Sequence, residues 1–202
     1  MIWPGRALPG PPRPEPPSGY AIRTYQPGDE APFLSLMAAG DFDPWDEEKV
    51  QFNRNRVLPG GWFFAVVEAT GEIVATAMCL HNYTGTSPFT GDVGWLACDP
   101  AHRGRGLGMA LMIHVTRRFL DAGYTRIQLH TEHYRLAAIA IYLKLGYVPV
   151  LETASASVLW QELCERIHWT YTPDRWPKGE NHPGVASGDD HLTGSDRGSG
   201  AS

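Results

Sequence analysis

The sequence contains no apolar run that approaches the roughly 20 residues a membrane-spanning helix needs. It has only three cysteines in 202 residues, Cys79, Cys98 and Cys164. Their odd number and wide spacing fit neither a disulfide framework nor a zinc site, so a reducing compartment is favoured. Basic residues are also outnumbered, 17 Lys and Arg against 22 Asp and Glu, for a formal net charge of -5. We therefore expect a cytoplasmic protein with neither a nucleic acid nor a membrane as partner.

The two ends of the chain have compositions that do not favour a packed core. Seven prolines interrupt residues 1–19, so we expect neither a signal peptide nor regular structure there. Residues 171–202 are rich in Gly, Ser, Asp and Pro and contain few large apolar groups that could offset the entropy of ordering. The prediction is a disordered arm at 1–19, one domain at 20–170 and a disordered tail at 171–202.

Between these ends, alternating apolar patterns indicate strands and 3.6-residue patterns indicate helices. The most regular helix is 107–122, whose apolar residues share one face and which ends before Gly123. A mixed α/β sheet follows from the order of the elements. The predicted strands are 21–25, 62–68, 73–83, 93–98, 126–131 and 147–151, and the predicted helices are 29–39, a second one from Asp43, 107–122, 135–145 and 158–168.

The most informative segment joins the strand that ends at Cys98 to the helix that begins at Leu107. Residues 99–108 read Asp-Pro-Ala-His-Arg-Gly-Arg-Gly-Leu-Gly. Free N–H groups at a helix N-terminus bind anions, and glycine lets a phosphate approach the backbone closely. Arg103 and Arg105 add positive charge at the same place. The segment therefore predicts a cradle for a diphosphate.

Three other interpretations of this segment compete with the cradle. A plain turn would explain the glycines but not the two arginines. A dinucleotide site needs G-x-G-x-x-G, and Met109 stands where its third glycine would be, which argues against an oxidoreductase. A P-loop needs Gly-Lys followed by Ser or Thr, a combination that this sequence does not contain.

The pattern Arg103-x-x-Gly106-x-Gly108 resembles the R/Q-x-x-G-x-G/A signature of the GCN5-related N-acetyltransferases, the GNAT superfamily. The strand 93–98 before it and the block 135–147 after it resemble that family in type and order. The resemblance implies a single-domain fold with a mixed, mostly antiparallel sheet of six or seven strands, splayed at its centre and flanked by helices. It implies an N-acetyltransferase that moves acetyl from acetyl-CoA to an amine of a small molecule or protein by direct attack in a ternary complex. The alternative is a non-catalytic acyl-CoA-binding sensor or scaffold.

The resemblance also implies roles for individual residues. Tyr142 would protonate the leaving thiolate, although it could instead be a core aromatic. Arg135 stands where the family often has an Asn that contacts the pantetheine arm. An arginine there could reach a phosphate, shape the acceptor site or simply be solvated. The residues expected to bind acetyl-CoA are Leu96, Ala97, Cys98, Arg103, Gly104, Arg105, Gly106, Leu107, Gly108, Met109 and Arg135.

An acceptor amine must lose a proton before it attacks, so a base is expected where the central strands splay. His130 is the first choice, because the unperturbed imidazole pKa near 6.5 suits a base at neutral pH. Glu132 is the second, Asp92 and His81 are further candidates, and water could also carry the proton. No metal is expected, because strand alternation puts His133 on the opposite face from His130 and Glu132.

Acidic residues cluster before and within the predicted second helix. They indicate either a cationic acceptor or ordinary capping of a helix start. The identity of the acceptor is not encoded in any motif, and a homodimer is left open. The clustered residues are Asp41, Asp43, Asp46, Glu47 and Glu48.

Overall fold

The computed structural model describes residues 1–5, 10–40, 42, 44–83 and 88–177. Its strands are β1 (Ile2–Trp3), β2 (Tyr20–Thr24), β3 (Val57–Val67), β4 (Ile73–His81), β5 (Gly91–Cys98) and β6 (Ile127–Leu129). Its helices are α1 (Glu30–Ala39), α2 (Glu47–Arg54), α3 (Leu107–Asp121), α4 (Leu136–Leu145) and α5 (Ala154–Arg166). The strands form one sheet in the order β1-β6-β5-β4-β3-β2. Only β5 and β6 are parallel, so the predicted mixed, mostly antiparallel sheet is confirmed.

Helices cover both faces of this sheet. On one face α3 and α4 enclose a core that includes Leu111 and Phe119. On the other face α1 and α2 enclose a second core around Phe33, Trp62 and Phe64. Burying a side chain such as Phe33 completely stabilises the fold by about 1.5–3 kcal/mol. None of the helices in the described part of the chain combines the length and apolar character needed to cross a bilayer.

The two parallel strands separate partway along the sheet. Their pairing is confined to residues 91–93 of β5 and residues 127–129 of β6. β5 continues to Cys98, so residues 94–98 have one edge to which no described strand is paired. The predicted strand 126–131 was too long at its end, which places His130 just beyond β6. The result is a gap between the central strands, as the predicted splay requires.

The first residues of the N-terminal arm belong to the sheet, which the prediction of a disordered arm at 1–19 did not anticipate. Ile2 and Trp3 form β1 beside β6, and Ile2 also pairs with Val148. Trp3 is only 4% exposed, and its ring packs edge-on against Tyr147. The prolines begin after these two residues and leave their N–H groups free to pair. Further along, Arg117 donates a hydrogen bond to the Pro11 carbonyl at 3.1 Å.

Ordered structure also continues beyond residue 170. Trp176 is buried between Trp160 and Tyr171 and is 6% exposed. The described start of the predicted tail is therefore packed, and residues 178–202 lie outside the described residues. The predicted strand 147–151 is reduced to isolated pairing, with Val148 next to Ile2. α5 begins four residues earlier than predicted because the Thr153 hydroxyl accepts a hydrogen bond from the Ala156 N–H and caps it.

Candidate active site

The segment between β5 and α3 presents consecutive backbone N–H groups. Gly104 and Gly106 have φ angles of 75° and 84°, a left-handed conformation that favours glycine. Within the described residues, no group accepts a hydrogen bond from the N–H groups of residues 104–109. A Cβ placed at Gly104 would meet no atom within 4 Å. This geometry fits a diphosphate cradle, because the free donors and the positive end of the α3 dipole coincide.

The two arginines of this segment are exposed and retain their charge for a ligand. Arg103 donates to the Cys98 carbonyl at 3.3 Å, and Arg105 donates to the Ala101 carbonyl at 3.4 Å. Neither forms an ion pair with a carboxylate among the described residues. A linked pair of phosphates could therefore recruit both guanidinium groups without breaking an existing salt bridge.

Gly108 has a different structural role from Gly104 and Gly106. A Cβ at this position would come within 2.8 Å of the Ile141 side chain on α4. The missing side chain therefore permits close packing of α3 against α4, while the Gly108 N–H remains part of the row of donors. The sequence motif alone does not separate these two uses of glycine.

A β-bulge reorients the backbone of β5 at the gap. Thr76 of β4 pairs with Ala97, whereas Met78 pairs with Gly94, so β5 contains one extra residue between these pairs. Trp95 takes up the distortion with a φ of 55°, a conformation that bulky residues rarely adopt. Leu96, Ala97 and Cys98 follow directly, and their open strand edge can pair with an extended ligand as if with another strand.

Tyr142 lies on α4 and is 5% exposed. Burial raises the pKa of Tyr142 to about 12, an effect that the nearby charge of Arg135 partly opposes. No described residue forms a hydrogen bond with its hydroxyl, whereas the neighbouring Tyr147 hydroxyl bonds the Thr116 hydroxyl at 3.0 Å. The Tyr142 hydroxyl is therefore protonated at neutral pH and available to a ligand.

The predicted bases lie in different environments. His130 is an exposed residue, yet desolvation by neighbouring protein atoms lowers the pKa of its imidazole. Asp92 is 3% exposed, accepts a hydrogen bond from the Gln128 amide at 2.7 Å, and has a pKa raised by burial. Glu132 is exposed in the turn after β6. The ring of His81 is hydrogen-bonded to the Tyr124 hydroxyl.

The acidic cluster mainly serves the start of α2. The Asp46 carboxylate accepts a hydrogen bond from the Lys49 N–H at 2.8 Å, and Glu47 and Glu48 occupy the first turn. This arrangement supports the capping interpretation, with the cap at Asp46 rather than at Asp43. Asp41 and Asp43 lie outside the described residues.

Sequence reasoning missed an aromatic wall, which we define as Phe42, Trp45 and Trp95. The Trp95 ring is 4.6 Å from the Trp45 ring and 6.3 Å from the Phe42 ring, measured between centroids. The Trp95 indole N–H also donates to the side-chain amide oxygen of the buried Asn53 at 2.7 Å. Arg135 of the α4 N-terminus extends over Phe42, with its guanidinium carbon 4.7 Å from the ring centroid. The wall thus packs on the face of the sheet that α1 and α2 cover, against the strand β5 whose edge is open.

No group of three or more His, Cys, Asp or Glu side chains that could hold a metal occurs among the residues the structure describes. The donors available to a ligand in this part of the fold are the backbone N–H groups of residues 104–109, the Tyr142 hydroxyl and the side chains of Arg103 and Arg105. Such a set suits an anionic ligand with a polar, hydrogen-bonding arm.

Comparison with known proteins supports this picture. Residues 30–147 match the model of the Acetyltransferase (GNAT) family. The chain is 35% identical over 152 residues to the mycothiol acetyltransferase of Segniliparus rotundus, covering 70% of this chain and 57% of that protein. The corresponding protein of Nocardia farcinica is 32% identical over 141 residues, covering 66% of this chain and 46% of the relative. The chain spans about half the length of the curated relatives it matches.

Solved structures agree on the fold. The GCN5-related N-acetyltransferase of Sphaerobacter thermophilus superposes with a TM-score of 0.58 at 27% identity, covering 72% of this chain and 47% of that one. The ribosomal-protein-S18-alanine N-acetyltransferase of Escherichia coli superposes with a TM-score of 0.55 at 22% identity, covering 67% and 86% of the two chains. The predicted fold class is therefore confirmed.

Proposed function

Because the chain belongs to the Acetyltransferase (GNAT) family, we propose that it transfers an acetyl group from acetyl-CoA to an amine of a small molecule or protein. The observation that carries this proposal is the unpaired row of N–H groups at residues 104–109, beside the gap between β5 and β6. The names of the curated relatives direct the first search for an acceptor to small-molecule amines.

The residues present fit acetyl-CoA as the acyl donor. The N–H groups of residues 104–109 would hold its diphosphate, with Arg103 and Arg105 adding charge. The open edge of residues 96–98 would pair with the amides of its pantetheine arm. When bound there, acetyl-CoA supplies an activated acyl group whose thioester lies in the gap. A backbone N–H of β5 near Leu96 or Ala97 would stabilise the carbonyl oxygen as negative charge develops on it.

Two side chains would move the protons. His130 accepts a proton from the acceptor amine, and its lowered pKa favours the neutral form that can accept this proton. The amine nitrogen then forms the new bond to the acyl carbon while the carbon–sulfur bond breaks. Tyr142 gives its proton to the departing sulfur, and its high pKa ensures that the proton is present. Asp92 and Glu132 are the alternatives to His130 as the base.

Incubation of the protein with acetyl-CoA and a panel of amines tests the proposal. We expect free thiol to appear only when an accepted amine is present, together with an N-acetylated product 42 Da heavier, about the mass of an acetyl group replacing hydrogen. Coenzyme A binding without any product across the panel would instead support a non-catalytic acyl-CoA-binding module.

A cytoplasmic location is part of the same proposal. Cys79, Cys98 and Cys164 are all free thiols in the structure. Free, partly buried thiols are typical of proteins that work in a reducing compartment. Fractionation of the native cells with detection of the protein checks this directly.

A further inference from the structure

Arg135 is a cation whose charge acts on the proposed acid, Tyr142. It precedes the first turn of α4, two turns before Tyr142, and its charge lowers the pKa of that tyrosine against the effect of burial. Its guanidinium carbon lies 4.7 Å from the Phe42 ring centroid and 5.6 Å from the Tyr134 ring centroid. Two aromatic rings therefore hold a planar cation in place, which reduces the side-chain entropy lost when it binds an anion.

The direction of this side chain separates it from the diphosphate cradle. Phe42 lies in the connection between α1 and α2, and it packs with Trp95 into the core on that face of the sheet. α3, which begins at the cradle, packs on the opposite face. Arg103 and Arg105 already supply cations beside the cradle. The contact with Phe42 thus places the Arg135 guanidinium on the α1 and α2 side of the gap, away from the loop that would hold phosphates.

The charge around the aromatic wall points the same way. The Lys49 ammonium lies 4.9 Å from the Trp45 ring centroid and 5.2 Å from that of Trp95. The ion pairs of the described residues are Arg23 with Asp29 and Arg54 with Glu30, so neither Lys49 nor Arg135 is paired with a described carboxylate. The Trp45 indole N–H is a further donor without an acceptor in the described part of the chain, although it is buried. The wall therefore combines apolar surface with two cations that no described carboxylate neutralises and with one indole N–H that no described group accepts.

We propose that Arg135 is a specificity residue that binds a carboxylate of the acceptor, and that the acceptor is an amine bearing this carboxylate. The inference rests on the proposed function and names the substrate class for the same site. The guanidinium fork matches the two oxygens of a carboxylate, and the positive end of the α4 dipole adds to the attraction. The aromatic wall would cover the apolar part of the same molecule. This class carries a negative charge that the cationic acceptor suggested by the acidic cluster would lack.

The test compares free amino acids with their methyl esters. The twenty standard amino acids, the matching methyl esters and phosphoethanolamine are each supplied with acetyl-CoA, and N-acetylated product is quantified by mass spectrometry. We expect the protein to prefer free acids over their esters by about tenfold or more in kcat/KM, as loss of one charged hydrogen-bonded contact implies. Equal use of acids and esters overturns the inference. A preference for phosphoethanolamine also overturns it, since the fork would then serve a phosphate.

Variants of Arg135 test whether this residue causes the preference for free acids. Arg135→Gln should raise the KM of the preferred free acid about tenfold or more, leave the corresponding ester unchanged and leave the KM of acetyl-CoA unchanged. Arg135→Lys should retain part of the preference, because it keeps the charge but loses the fork. Lys144→Gln, an exposed cation on the same helix, is the matched control and should change none of these constants. A raised KM for acetyl-CoA in Arg135→Gln would show that the arginine serves the cofactor instead.

A binding measurement keeps this inference separable from the proposed function. N-acetylphenylalanine and its methyl ester are titrated calorimetrically into wild-type and Arg135→Gln protein saturated with coenzyme A. We expect the free acid to bind more weakly to Arg135→Gln than to the wild-type protein. The methyl ester should bind both proteins equally. Identical binding to both proteins contradicts the role of Arg135. Failure of the proposed function shows differently, as absence of product from every amine.

Discussion

The two sides of the gap between β5 and β6 are built in different ways. The proposed cofactor side uses the backbone of one short segment, residues 104–109, whose conformation depends on two glycines with positive φ. The proposed acceptor side uses side chains from three separate places, the α1–α2 connection, β5 and the start of α4. A backbone site requires only a local conformation, so many side chains are tolerated around it. A side-chain site depends on tertiary packing, and each of its members can change the acceptor without disturbing the fold.

The largest effect is expected from placing a side chain in the cradle. Gly104→Glu should weaken coenzyme A binding by about 10³-fold, because bulk and negative charge displace several charged hydrogen bonds. Gly71→Glu is the control, since Gly71 has a φ of 73° and, like Gly104, open space around its Cβ position. Both variants carry similar backbone strain, and only the first should lose affinity by calorimetry. Equal losses in the two would mean that strain, not the cradle, controls binding.

The next effect separates two neighbouring buried tyrosines. Tyr142→Phe should lower kcat by about 10²-fold at unchanged coenzyme A affinity, since it removes a general acid. Its thermal stability should hardly change, because no described residue bonds its hydroxyl. Tyr147→Phe should instead cost about 1 kcal/mol of stability by removing the bond to Thr116 and leave kcat near the wild-type value. If Tyr142→Phe turned over at the wild-type rate, Tyr142 would be a core aromatic and not the general acid.

A smaller effect distinguishes the candidate bases. His130→Gln should lower kcat/KM by about tenfold at pH 7 and remove the acidic limb of its pH profile, while water carries the proton more slowly. Because the pKa of His130 is lowered in the folded protein, that limb should lie below the ordinary histidine pKa of about 6.5. A profile that keeps its limb in His130→Gln but loses it in Asp92→Asn assigns the base to Asp92.

The smallest effect concerns stability and pH. Burial raises the pKa of Asp92, so the folded state holds this proton more tightly than the unfolded state does. Ionisation of Asp92 therefore destabilises the fold as pH rises above the ordinary carboxyl range. Asp92→Asn should be more stable than wild type at pH 7, by on the order of 1 kcal/mol, with the gain shrinking towards pH 3. Urea unfolding at the two pH values measures the difference, and a constant gain at both would contradict the shift.

The same contrast explains which features could be predicted from the sequence. Glycines 104 and 106 and the amphipathic α3 are local features, so the glycine-rich turn and the helix that follows it could be predicted from the sequence. The apolar runs of β3 and β4 likewise predicted buried strands. The membership of Trp95 in the aromatic wall was hidden, because a bulge turns its backbone and its partners Phe42 and Trp45 are about fifty residues away in the chain. The role of Gly108 in helix packing could not be predicted either, because its neighbour Ile141 is also distant in the sequence.

At both ends of the domain, the composition predicted less packed structure than the fold contains. Composition suggested that residues 1–19 could not order, yet Trp3 finds a complete burial site beside Tyr147 and β6. A single large aromatic can anchor a proline-rich segment when a strand edge is open to it. Trp176 does the same after α5. The average composition of a segment does not show whether one of its large side chains can be buried in the fold.

Calorimetric titration of coenzyme A into the folded, full-length protein tests the central claim most directly. The account predicts a saturable heat with one coenzyme A per chain, suppressed when acetyl-CoA already fills the site. A protein that is folded by circular dichroism and yet releases no heat with coenzyme A would contradict the assignment of residues 104–109 as a diphosphate cradle.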